Sequence, residues 1–132
     1  MNDLERALTA VLNGDLRGFP ITMASTQADL LNAAARLPAL SVPNQAVTRV
    51  LTTWRDGRIA SREVQAWASF VRRGYVLNES ARGNRPLDIE YDDEVLLVEI
   101  IGRLDELGDL IDGEITDEER DEMLASLYVK PE

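Results

Sequence analysis

Apolar residues recur at three- and four-residue steps along most of the chain, the spacing that lines one face of an α-helix. Leu4, Ala7, Leu8, Val11 and Leu12 predict a helix over residues 2–12. Leu30, Leu31, Ala34 and Ala35 predict another, capped by Ser25 or Thr26 and ended by Pro38 after Leu37, because the residue before a proline avoids the helical region. Between them, Gly18-Phe19-Pro20 reads as irregular backbone. Ala39 to Val42 reads as a short connection, and Pro43 suits the first turn of the next helix. Val47, Val50, Leu51 and Trp54 mark that helix, and Val64, Trp67, Ala68 and Val71 mark a partner over Ser61 to Arg73. Both tryptophans are expected to face inward as core anchors. The long stretch from Tyr75 to Asp88 carries Asn78, Ser80, Gly83, Asn84 and Pro86, the composition of an exposed loop.

Beyond it, Ile89 and Tyr91 alternate with acids, which fits a short strand or an extended lead-in. Val95 to Ile101 is apolar enough for a buried strand. Helix is preferred, since Leu97, Ile101, Leu104, Leu107 and Ile111 continue at helical spacing. Asp92 and Asp93 suit its start as cap and as negative charge at the positive end of the dipole. Gly102 inside this helix costs about 1 kcal/mol relative to alanine and lets another helix approach closely. A last helix runs from Asp117 to Leu127. The sum is an all-α single domain, 1–132, of about six helices arranged as helical hairpins over 2–37, 43–74 and 92–127, with an exposed loop over 75–91.

One short pattern occurs twice. Asp56-Gly57 aligns with Asp112-Gly113, Ile59 with Ile115, and Glu63 with Glu119. Each copy reads as helix, glycine-ended turn and second helix, the αα-hairpin. Glycine is the residue for the left-handed conformation that commonly ends a helix. Thr116 and Glu119 have capping-box spacing, and Ser61 is the expected cap in the first copy. Asn13-Gly14-Asp15-Leu16 echoes the pattern as a degenerate third copy. Asp56, Gly57, Ile59, Asp112, Gly113 and Ile115 are therefore read as structural turn residues. The same spacing resembles an EF-hand loop, but its first and third ligand positions hold Thr52 and Trp54 in one copy and Gly108 and Leu110 in the other. A calcium cage needs oxygen ligands there, so no metal is expected.

Composition narrows the chemistry. The 132 residues contain no histidine and no cysteine. That excludes a Ser-His-Asp triad, a Cys-His pair and the usual zinc sites. The only lysine, Lys130, falls in a predicted tail. No apolar run approaches the roughly 20 residues that span a membrane, and no secretory leader is visible at the N-terminus, so a cytoplasmic protein is expected. Charge is unevenly divided: residues 1–86 carry 11 Arg against 7 acids, net +4, whereas residues 87–132 carry 3 basic residues against 17 acids, net −14. Such an acidic half repels nucleic acid and membranes and attracts a basic protein.

Two acidic groups are candidates for chemistry. Glu118, Glu119 and Glu122 form a Glu-Glu-x-x-Glu run similar to the magnesium-holding run of all-α pyrophosphohydrolases of the MazG type. No Glu-x-x-Asp pair follows it, and a magnesium–phosphate site needs several convergent carboxylates. Asp88, Glu90, Asp92, Asp93 and Glu94 are the densest acids elsewhere, and on a segment entering a helix they would meet a basic partner. The expectation is a non-enzymatic acidic binding protein with no cofactor. A self-associating helical module and a magnesium-dependent nucleotide pyrophosphohydrolase are the alternatives, and oligomeric state is left open.

With these residues in view, the chain resembles small acidic bacterial immunity proteins, of the colicin D type and of contact-dependent growth inhibition systems. The residues that carry the resemblance are Trp54 to Ala68, with Asp56-Gly57, Ile59, Glu63, Trp67 and Ala68, and the acidic lead-in Ile89 to Glu94. It implies a helical protein that binds a basic toxin nuclease and blocks its active site through acidic residues. The chain before residue 43 lies outside it.

Overall fold

Asn2 and Glu5 start the first helix by capping each other: Asn2 Oδ1 accepts the Glu5 N–H at 2.8 Å and the Glu5 carboxylate accepts the Asn2 N–H at 3.0 Å, a reciprocal capping box. A computed structural model of the chain describes residues 2–76, 85–108 and 113–127. Within them are α1 (Asp3–Leu12), α2 (Phe19–Ala24), α3 (Gln27–Ala35), β1 (Leu40–Val42), α4 (Asn44–Arg55), α5 (Ser61–Arg73), β2 (Ile89–Tyr91), α6 (Glu94–Asp105) and α7 (Asp117–Leu127). The fold is helical, as the apolar spacing predicts, with one two-stranded sheet added.

That sheet is parallel, with Leu40 opposite Ile89, Ser41 opposite Glu90 and Val42 opposite Tyr91. Parallel neighbours need a long crossover, and α4 and α5 supply it. Leu40–Val42 is therefore a strand rather than part of a bare connection. The loop expected over 75–91 is likewise tied down at both ends, because Val76 and Leu87 are buried and Ile89–Tyr91 pairs with β1. Residues 77–84 lie outside the described residues.

The hairpins pack crosswise. α5 packs most extensively against α6, and α4 packs against α7, more closely than either hairpin packs within itself. The first helix of each copy thus meets the second helix of the other, the reciprocal pattern that a twofold relation between two similar units produces. Trp67, Phe70, Leu51, Leu97, Ile101 and Leu104 fill the space between them. α1 closes the far side: the Trp67 indole N–H donates to the Val11 carbonyl at 2.8 Å.

The two copies end their first helices differently. α4 runs to Arg55, and Gly57 follows at φ +76° with its N–H on the Trp54 carbonyl at 3.0 Å, the left-handed stop expected there. α6 ends at Asp105, well short of Gly113, and Gly108 takes the positive φ of +87°. The Gly108 N–H then donates to the Gly113 carbonyl at 3.0 Å, which closes the connection on itself. Asp112 lies outside the described residues. Ile59 and Ile115 both pack partly buried against the core, as the pattern requires.

Four local expectations are corrected. Gly18-Phe19-Pro20 is helical: a 3₁₀ turn over Leu16–Gly18 runs into α2, and Pro20 sits in its first turn, where its missing N–H is harmless. The cap of α5 is Ala60, whose N–H donates to the Glu63 carboxylate at 3.0 Å, while the Ser61 hydroxyl accepts the Trp54 indole N–H at 3.2 Å. In the second copy Thr116 Oγ1 does accept the Glu119 N–H at 3.1 Å. The Glu119 carboxylate turns instead to Arg103, with Nε to Oε2 at 2.7 Å, because a guanidinium is a stronger partner than a backbone amide. Trp54 is only partly buried and lies under the Arg120 guanidinium, 5.4 Å from the ring centre.

Candidate functional site

β2 and the start of α6 present the candidate acids to solvent. Alternation along β2 turns Ile89 and Tyr91 toward the body and Glu90 outward. Tyr91 is anchored by its hydroxyl, which donates to the Val71 carbonyl at 3.0 Å, and burial raises its pKa above the ordinary tyrosine value. The Asp92 N–H continues the sheet onto the Val42 carbonyl at 3.1 Å. Asp93 then caps α6, its carboxylate accepting the Leu96 N–H at 3.3 Å, and Glu94 is the first helical residue, where negative charge favours the helix dipole. The strand fixes the direction in which the helix leaves, so Asp88, Glu90, Asp92, Asp93 and Glu94 form one exposed edge.

The acidic half divides into two kinds of carboxylate. Asp105, nearly buried, is approached by Arg72 at 2.9 Å and by Arg73 at 3.5 Å. Glu106 and Glu119 hold Arg103 at 3.0 and 2.7 Å, and the Glu119 hydrogen bond raises the Arg103 guanidinium above its ordinary value. These acids hold α5, α6 and α7 together. By contrast, Asp88, Glu90, Asp92, Asp93, Glu94 and Glu99 form no ion pair among the described residues. The arginines around residue 72 are thus matched by the acidic half, but at Asp105 and not at this edge.

Exposed apolar side chains adjoin the unpaired acids. Val95 is 84% exposed and Val98 52% exposed, two of the three exposed large hydrophobic residues among the described residues. Neither was singled out by the sequence reading, which named only the inward residues of the preferred helix. α6 turns Leu97, Ile100, Ile101 and Leu104 inward, so the face given by the spacing of Leu97, Ile101 and Leu104 already leaves both valines outside the core. An apolar patch rimmed by charge is the signature of an interaction surface.

The carboxylate run on α7 is not drawn together. Glu118 and Glu122 are exposed, Glu119 is committed to Arg103, and no group of three potential metal ligands converges among the described residues. The Asp56 carboxylate is exposed beside Arg55 at 3.6 Å, so the turn it occupies serves the chain direction. No helix among the described residues is long and apolar enough to cross a membrane.

Comparison of the chain with protein-family models, with curated proteins and with solved structures finds no match. Any functional reading therefore stands on the residues themselves.

Proposed function

We propose that this is a non-enzymatic binding protein that takes a basic protein partner against the β2–α6 edge, acting as an immunity- or antitoxin-like inhibitor of a basic toxin or nuclease. One observation carries the reading: six exposed carboxylates with no ion-pair partner among the described residues stand beside two exposed valines, on a helical scaffold that pairs Asp105, Glu106 and Glu119 internally. Acids at such an edge steer a basic partner and disfavour others, while the apolar centre supplies affinity. On a nuclease, carboxylates held rigidly in this way would occupy positions meant for phosphates. The resemblance to immunity proteins at Ile89 to Glu94 points the same way.

The test is capture from a lysate of the source organism at low salt, with wild-type protein and the Asp92→Lys, Asp93→Lys, Glu94→Lys variant side by side. Wild type should retain a basic protein that a salt step releases, and the variant should bind that protein on the order of a hundredfold more weakly. Equal affinity for both baits would sink the reading.

A further inference from the structure

We propose that the outer face of α6, centred on Gly102, is the seat of a basic amphipathic helix belonging to that partner; this rests on the binding reading above and names the element that docks.

Val95, Val98 and Gly102 follow one another at i, i+3 and i+7, which places them on one face of α6. That face is opposite the Leu97, Ile100, Ile101 and Leu104 side that enters the core. Gly102 is the informative residue. A Cβ built there meets nothing within 4 Å, so no neighbouring element of the described chain requires a glycine. It does not end the helix either, since α6 continues to Asp105. Glycine inside a helix weakens it, and this one gains nothing from the chain's own packing. What a bare Cα does provide is close approach for a second backbone, as at helix crossings built on small residues.

The surroundings define what would approach. On the α7 side of Gly102 lies a groove of about 510 Å³ lined by Leu96, Ile100, Met123, Glu99 and Glu122, and by Arg72 and Arg103, which are paired with Asp105 and Glu119. Both glutamates are exposed and have no ion-pair partner among the described residues. Glu94, Asp93 and Asp92 stand at the N-terminal end of the same face. A helix lying along α6 would set apolar side chains against Val95, Val98 and the apolar groove lining, and Lys or Arg residues on its flanks against these acids. A second copy of this chain docking through the same face would bring acid against acid, so charge complementarity favours a basic partner helix over that symmetric pairing.

Two synthetic peptides of Leu, Ala and Arg test the inference. They have one composition, ordered in the first with amphipathic helical spacing and scrambled in the second, and binding is followed by titration calorimetry. Wild-type protein should bind the ordered peptide about tenfold or more tightly than the scrambled one, with helix formation seen by circular dichroism. Gly102→Leu should erase that preference without lowering the melting temperature, and Val98→Asp should reduce it. Gly102→Ala, which fits any helix, should raise the melting temperature and weaken the ordered peptide more modestly. Equal affinity for the two peptides, or an undiminished preference in Gly102→Leu, overturns the helix seat. If both peptides bind alike and both are weakened by the Asp92→Lys, Asp93→Lys, Glu94→Lys changes, the acidic-edge reading survives alone. If charge reversal weakens neither, that reading falls as well.

Discussion

Arg103 on α6 reaches Glu119 on α7 with its Nε 2.7 Å from Oε2 and its Nη2 3.2 Å from Oε1, and the same Nη2 donates to the Glu114 carbonyl at 2.8 Å. One guanidinium therefore spans the connection between the two helices. Removing it by Arg103→Met should lower stability by about 1–2 kcal/mol, less than a buried charge-assisted pair because both side chains keep some solvent contact. Urea unfolding gives the number. A loss below the error of the measurement would mean that α7 is held by Met123 and Leu127 alone.

Gln27 is fully buried at the first position of α3. Its amide nitrogen donates to the Gly74 carbonyl at 2.8 Å and the Arg85 carbonyl at 3.2 Å, and its oxygen accepts the Val76 N–H at 3.0 Å. It thereby fixes both flanks of the segment that joins α5 to β2. Gly74 beside it has φ +75°, and a Cβ there would fall 2.6 Å from the Leu87 carbonyl oxygen, so both conformation and space require glycine. Gln27→Leu keeps much of the volume but orphans buried backbone groups. It should destabilise by roughly 2–3 kcal/mol. Hydrogen exchange should rise first at Val76 and Leu87.

Asp15 accepts from Arg17 at 2.7 Å and lies 3.6 Å from Arg49. The Arg17 hydrogen bond, more than any other influence, lowers its carboxyl from 3.8 to about 2. A lowered folded value means that the folded protein holds its proton less tightly than the unfolded chain. The pair thus contributes fully above about pH 4, and its contribution is lost as pH falls toward 2. With Arg17 exposed, solvent screening keeps that contribution small. Comparison of Asp15→Asn with wild type by thermal melting should show a difference at pH 6 that shrinks steadily from pH 4 to pH 2. A constant difference across that range would assign the effect to packing.

The helical framework was legible because each long helix repeats its apolar face several times. Ser61 to Arg73 and Asp117 to Leu127 have the limits that their spacing predicts. Of the sheet, only β2 left a trace, in Ile89 and Tyr91 alternating with acids; Leu40–Val42 is too short for alternation to register, and the pairing joins distant parts of the chain. Gln27 was missed for a related reason: nothing local distinguishes it from a solvated glutamine, and its partners lie beyond α5. The acidic residues could be identified from sequence, but not sorted. Glu106 and Glu119 look no different from Asp92 and Glu94 until the fold places Arg103 beside the first two, with no ion pair to the others among the described residues.

Amide hydrogen exchange of the complex with the salt-released basic partner tests the account most directly. Protection should appear at the start of α6 and extend along it through Val95, Val98 and Gly102, with little change at the arginine-rich α4–α5 turn around Arg55, Arg58 and Arg62. Protection confined to that turn, with α6 exchanging as in the free protein, would contradict the acidic edge as the binding surface.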